Sequence, residues 1–162
     1  MTFRQPTVRN LGPDEGLIIL NCSREKLVTS VPVAALALYQ GACVPNAREH
    51  FAADAARRAR IRILSAAHGL LHPEDPISTY DHRLTNRTEA VRLHEQTVSA
   101  QLDAELAETP SLRHMLIMVE PLYLLALQRV FDHLDRFDQV AIVPDPWGWQ
   151  DGLTYLRRWG WA

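Results

Sequence analysis

Four short apolar runs constrain this chain more than any other feature: Leu17-Ile18-Ile19-Leu20, Ile61-Arg62-Ile63-Leu64, residues 112–119 around Met115-Leu116-Ile117-Met118-Val119, and Val140-Ala141-Ile142-Val143. Each is too short for a buried helix, and mostly continuous rather than alternating, which is the pattern of strands covered on both faces. The segments between them read as helices. Residues 31–39 are apolar, with Pro32 at the start. Residues 47–60 are rich in Ala and Arg, with Asn46 as a cap after Pro45. Residues 88–107 read as an amphipathic helix with apolar Val91, Leu93, Val98, Leu102 and Leu106; further helices are expected over 121–134 and 152–159. Strands joined through helices require parallel crossovers. The expected fold is therefore an α/β three-layer domain with a mostly parallel central sheet of about four or more strands.

At 162 residues the chain fits one domain, able to bury roughly 70% of the surface its unfolded form exposes. No linker or repeat divides it, so residues 16–162 read as a single α/β domain. Residues 1–15, with Pro6, Gly12 and Pro13 and no apolar period, read as a flexible leader. The net charge of −2 gives no basic signature for nucleic acid or an acidic membrane. No run approaches the ~18 apolar residues of a membrane span, and the N-terminus lacks the apolar core of a secretory signal. No membrane partner is expected, and the expected location is cytoplasmic. Two cysteines, Cys22 and Cys43, are too few for a disulfide scaffold. No cofactor and no metal site are expected: there is no glycine-rich phosphate loop, no dinucleotide fingerprint and no Cys/His cluster.

In open α/β sheets ligands sit beyond the C-terminal strand ends, and this rule gives the polar segments their meaning. Asn21-Cys22-Ser23-Arg24-Glu25-Lys26 follows the first run at once and offers amide, thiol, hydroxyl, guanidinium, carboxylate and amine within six residues. Lys26 is the single Lys beside sixteen Arg. A sharp turn there would form an anion-binding concavity reinforced by Arg24 and Lys26, whereas a solvated loop would have no such role. After the second run come Ser65 and His68, three apart. On one helical turn they would share a face, with His as acid or base and Ser orienting or attacking a substrate. The bland alternative has Ser65 capping a turn and His68 bonded to nearby backbone. Tyr80 and Asp81 lie in the following loop. With Pro144–Trp147, the segments 21–26 and 65–72 would converge on one sheet edge.

Read together, "LIILNCSREK", "ALY", "ILSAAHGLL" and "ISTYD" resemble a family of small bacterial and phage domains of unknown function, whose members carry "CSKKK", "LY", "LSAKHGLL" and "PYD" motifs. That family looks distantly related to the YaaA peroxide-stress proteins, with their "LSGLYGVLRP" segment. The resemblance covers about residues 17–110. It implies an α/β fold with a cleft holding Ser23, Lys26, Tyr39, Ser65, His68, Tyr80 and Asp81, and links to DNA binding, oxidative stress and nucleobase-handling folds. Ala67 stands where relatives have Lys, and Arg24-Glu25 interrupts a Lys run, which weakens an anion-binding role.

Three functional readings compete. In the first, the chain is an enzyme on a nucleotide or nucleoside-like small molecule, cleaving or transferring at an N-glycosidic bond. His68, Asp81 and Ser65 would be catalytic, while Asn21, Cys22, Ser23, Arg24, Lys26, Tyr39 and Tyr80 bind substrate, with a tyrosine stacking on the base. The alternative is a YaaA-like nucleic-acid-binding stress-response protein without catalysis. Its basic stripe could come only from Arg57, Arg58, Arg60 and Arg62, more simply read as the solvated end of a helix. The third reading is a non-catalytic partner protein: the C-terminal Trp147, Trp149, Trp159 and Trp161 suggest a homo-oligomer interface, with Trp159 and Trp161 the better candidates and Trp147 and Trp149 closing the core.

Overall fold

The computed structural model describes residues 10–162. Its centre is a five-stranded sheet in the order β4-β3-β1-β6-β7, with β1 Gly16–Asn21, β3 Ile61–Ser65, β4 Gly69–Leu71, β6 His114–Met118 and β7 Gln139–Val143. β1, β3, β6 and β7 run parallel, in the register Ile18↔Ile61, Ile18↔Leu116 and Leu116↔Ala141. Every residue of these four strands is buried, as continuous apolar runs covered on both faces require. The α/β architecture read from the sequence is the one observed.

β4 is the strand the apolar pattern hides. Gly69-Leu70-Leu71 reads as a turn, yet it folds back antiparallel on β3, with Ser65↔Gly69 and Ile63↔Leu71 paired. The reversal needs a left-handed residue, and Gly69 has φ +70°. A side chain there would also run into Gln101 and Thr97. A second, two-stranded sheet pairs β2 (Val33–Ala34) with β5 (Pro76–Ile77), inside segments expected to be helix and loop.

Between β1 and β3 lie α1 (Ala35–Leu38), α2 (Val44–His50) and α3 (Ala55–Arg58). The single helix expected over 47–60 is broken, because Asp54 starts a new one by accepting the Arg57 N–H at 3.1 Å. The first part begins before Asn46, on Val44-Pro45, where a proline costs no hydrogen bond. Between β4 and β6 a helix runs from α4 (Arg87–Leu93) through a π-turn (His94–Val98) into α5 (Ser99–Glu108), capped by Asn86. After β6 come α6 (Pro121–Leu124) and a 3₁₀ stretch (Leu125–Arg136), and after β7 comes α7 (Trp149–Trp159), ended by left-handed Gly160.

The strand order places these helices. From β1 the chain moves to β3 on one side, then returns past β1 to β6 and β7 on the other. Right-handed crossovers in opposite directions cover opposite faces. α4 and α5 accordingly pack with the 3₁₀ stretch, while the other face brings His50 and Phe51 of the α2 end onto Trp149 and Trp161.

Three expectations are corrected here. Trp159 and Trp161 are buried and Trp147 is exposed, so the pair proposed for an oligomer interface closes the core instead. Leu11 N–H donates to the Trp159 carbonyl at 2.9 Å, and Trp161 Nε1 donates to the Leu11 carbonyl at 3.0 Å. Residues 10–15 of the expected leader thus include a buried Leu11 and a 3₁₀ turn at Pro13–Glu15; residues 1–9 lie outside the described residues. Finally, Arg60 and Arg62 are not the solvated end of a helix. Both are buried and meet Glu105, Arg62 Nε at 2.6 Å from Oε1 and Arg60 at 3.8 Å. Arg57 pairs with Asp54, and Arg58 donates to the Phe51 and Ala52 carbonyls. No free basic stripe remains on these four residues. Among the described residues no helix is long and apolar enough to cross a membrane.

Candidate functional site

The β1 and β6 loops leave for opposite faces of the sheet, so the C-terminal ends of these neighbours form a crevice, the usual ligand position in such sheets. A cleft of about 210 Å³ opens there. Its walls combine residues 21–26 after β1, Glu120 and Tyr123 after β6, Pro146 and Trp147 after β7, and Asp81, His82 and Arg83 from the loop following β5.

Asn21 ties the two central strand ends together. Its Oδ1 accepts the Glu120 N–H and its Nδ2 donates to the Cys22 carbonyl, each at 2.9 Å. Ser23 shapes the turn: Oγ donates to the Glu25 carbonyl at 2.6 Å and accepts the Gly41 N–H at 3.1 Å. Gly41 has no side chain because one would strike the Glu25 carboxylate. Segment 25–27 then pairs with 38–40, Gln40 N–H to the Glu25 carbonyl and Leu27 N–H to that of Leu38, both at 2.8 Å. The sharp turn expected after the first strand therefore exists, with Arg24 exposed beside it and Lys26 half-buried.

Behind this wall lies a hydroxyl cluster. Tyr80 Oη is 2.5 Å from Tyr39 Oη and 2.6 Å from Ser65 Oγ. Lys26 Nζ stands over the Tyr80 ring, 4.6 Å from its centre, and 5.8 Å from that of Tyr39. His68 meets the Tyr80 ring edge-on at 5.1 Å. Burial pushes the Tyr80 hydroxyl up to about 12 and raises Tyr39 further still. Burial also raises the Cys22 thiol, whose S–H donates to the Tyr123 hydroxyl. These groups hold their protons at neutral pH and form a neutral bed under one ammonium.

The predicted site residues divide. Asn21, Cys22, Ser23, Arg24, Lys26 and Asp81 come together on the cleft wall; Tyr39, Ser65, His68 and Tyr80 do not line it. Tyr39 and Ser65 are fully buried, and Lys26 and His68 flank the Tyr80 ring, so neither tyrosine offers a face to a base. Ser65 Oγ accepts the N–H groups of Ala67 and His68, each at 3.2 Å. It caps the turn, which was the bland alternative. His68 and His72 stand four apart at the spacing of a helical metal pair, yet their segment is a hairpin. Among the described residues no three His, Cys, Asp or Glu side chains are placed to hold a metal ion.

Glu120, Tyr123, Arg83 and Trp147 line the cleft without having been singled out as site residues. The signal for Glu120 was available: it follows the third apolar run directly, and the strand-end rule applies to that loop as to the others.

Residues 17–135, well over half of the chain, match a family of unknown function, DUF6884. The chain belongs to that family. The matched stretch includes the turn at 21–26, the hydroxyl cluster and the Glu120–Tyr123 wall, and stops short of β7 and Trp147. No curated protein and no solved structure is significantly similar to the chain.

Proposed function

We propose that this DUF6884 member is an enzyme acting on a nucleotide or nucleoside-like small molecule, with cleavage or transfer at the N-glycosidic bond as its reaction. One observation carries the reading: a single small cleft presents an exposed indole, three cations and three carboxylates. Trp147 is 63% exposed, and its backbone is fixed by a 2.9 Å bond from its N–H to Asp145. A large ring held in water is an offered stacking surface, worth about 1–3 kcal/mol against a base. Arg24, Lys26 and Arg83 share the cleft and suit a phosphate. Trp147 takes over the stacking role that the buried Tyr39 cannot fill.

Asp81 and Glu120 supply the chemistry. Breaking a C1′–N bond builds positive charge on the sugar, which a carboxylate stabilises. In hydrolysis a water oxygen bonds to C1′ and gives a proton to the carboxylate, while the base leaves with the bond electrons and takes up a proton. Ser65 is too deeply committed to attack, and the raised Cys22 thiol is a poor nucleophile at rest.

The test is a thermal-shift screen with nucleobases, nucleosides, nucleotides, sugar phosphates and short DNA, followed by product analysis. A ligand at ~100 times its Kd adds about 2.7 kcal/mol. One nucleotide class should stabilise the protein and release free base. Lys26→Ala should weaken binding of phosphorylated members, and Asp81→Asn should abolish turnover while binding persists. Stabilisation by DNA alone, fading with salt, would turn the reading to nucleic-acid binding; no shift with any nucleotide would end it.

A further inference from the structure

The floor of the cleft carries a hydrogen that no group among the described residues accepts. Tyr123 is 98% buried, being 2% exposed, yet lines the cleft. Its hydroxyl oxygen accepts two hydrogen bonds, from the Leu84 N–H at 3.1 Å and from the Cys22 thiol at 3.6 Å. A phenol oxygen has two acceptor positions and one hydrogen. With both positions filled from the protein, the O–H hydrogen is the unspent part of the group. The thiol is able to donate because burial keeps it protonated.

A buried donor without a partner is costly, and a ligand acceptor recovers that cost. Leu84 and Cys22 also hold the phenol oxygen from two directions, so the donor is oriented before a ligand arrives. The neighbouring Asn21 cannot substitute for it, since its amide is spent on Glu120 and Cys22.

We propose that Tyr123 is the specificity-determining residue of the cleft, and that it selects a ligand carrying an acceptor oxygen at the floor: for a nucleobase, a keto group rather than an exocyclic amine. This rests on the nucleotide reading and deepens it. An amine at that position would set N–H against O–H and leave both donors unpaired. Sites built to hydrogen-bond one group discriminate strongly against an analogue that cannot.

The experiment compares matched pairs on the full chain: guanosine monophosphate against 2,6-diaminopurine riboside monophosphate, and uridine monophosphate against cytidine monophosphate. Members of each pair differ at the base edge where a keto oxygen is replaced by an amine. Wild-type protein should bind the keto member at least about tenfold more tightly. Tyr123→Phe should close that gap to within about twofold, whereas Trp147→Ala should weaken both members and keep the gap. The wild-type comparison stands even if the Phe variant folds poorly. Nucleotides that bind without a keto preference, or a preference that survives Tyr123→Phe, would overturn the inference and leave the nucleotide reading intact. Failure of every nucleotide to bind wild-type protein would overturn both.

Discussion

Tyr80 sits where four side chains converge on one phenol: Ser65 and Tyr39 at its oxygen, Lys26 over its ring and His68 edge-on to it. Ser65 has both lone pairs taken by the Ala67 and His68 N–H groups, so its own hydrogen goes to Tyr80. The consequence is a pH dependence with a defined sign. Tyr80 is raised from 10.0 to about 12, and Cys43 from 9.0 to about 12, in both cases chiefly by burial. Both groups ionise to anions that the fold disfavours, so the folded value lies above the unfolded one. Their stabilising contribution is complete below the unfolded values and is lost as pH rises towards about 12. The urea midpoint should therefore hold steady up to about pH 9 and fall between about pH 9 and 12. Tyr80→Phe should cost about 1 kcal/mol at neutral pH, from the lost acceptor, and make the alkaline fall shallower. An unchanged alkaline slope in that variant would show that the Tyr80 hydroxyl is not held protonated by the fold.

At the scale of elements, the joint between β3 and α5 is ionic. Glu105 of α5 receives Arg62 Nε at 2.6 Å, and Arg62 also donates to the Ala59 and Ile61 carbonyls. Arg60 Nε donates to the Gly16 carbonyl at 3.1 Å, tying β3 to β1. Glu105→Ala would leave two buried guanidinium groups without their counter-ion, and a broken buried pair costs about 3–5 kcal/mol. Chemical denaturation should register that loss. A change below about 1 kcal/mol, the range of exposed pairs, would mean the cluster is hydrated. This joint also shows where the sequence stops being readable. Continuous apolar runs disclosed all four parallel strands, because burial on both faces leaves few polar positions. Arg60 and Arg62 alternate with Ile61 and Ile63, yet whether such arginines meet water or a glutamate is decided by α5, forty residues later. The same holds for β4, whose three residues carry no periodicity, and for β2 and β5, two residues each. Asn21–Lys26 could be seen because a dense polar run directly follows an apolar one. Tyr123 could not, because an aromatic one turn into a helix looks like any core residue.

For the whole molecule, the crevice between β1 and β6 depends on the order of the crossovers, and that order is closed by the last helix. α7 packs against β6 and β7 and delivers Trp159 and Trp161 to the start of β1. Gly16 marks the contact, since a Cβ there would lie 2.8 Å from the Trp161 ring. The two rings meet edge-on at 5.1 Å, and Trp159 Nε1 reaches Gln139 of β7 at 3.4 Å. One aromatic pair thus clamps the N-terminal ends of β1 and β7 to α7, at the opposite end of the strands from the cleft. Emptying a buried tryptophan site costs about 3–5 kcal/mol, against a total of roughly 5–15 kcal/mol for a domain. Trp159→Ala should therefore lower the urea midpoint sharply, and removing residues 159–162 should leave a chain that no longer unfolds in one cooperative step. Trp161→Phe keeps a ring but loses the bond to Leu11, and should cost about 1 kcal/mol. Because the clamp is remote from Trp147 and Tyr123, the Phe variant should bind any cleft ligand with wild-type affinity. A large affinity loss in Trp161→Phe would mean that the strand ends slide together, coupling the clamp to the cleft through β1.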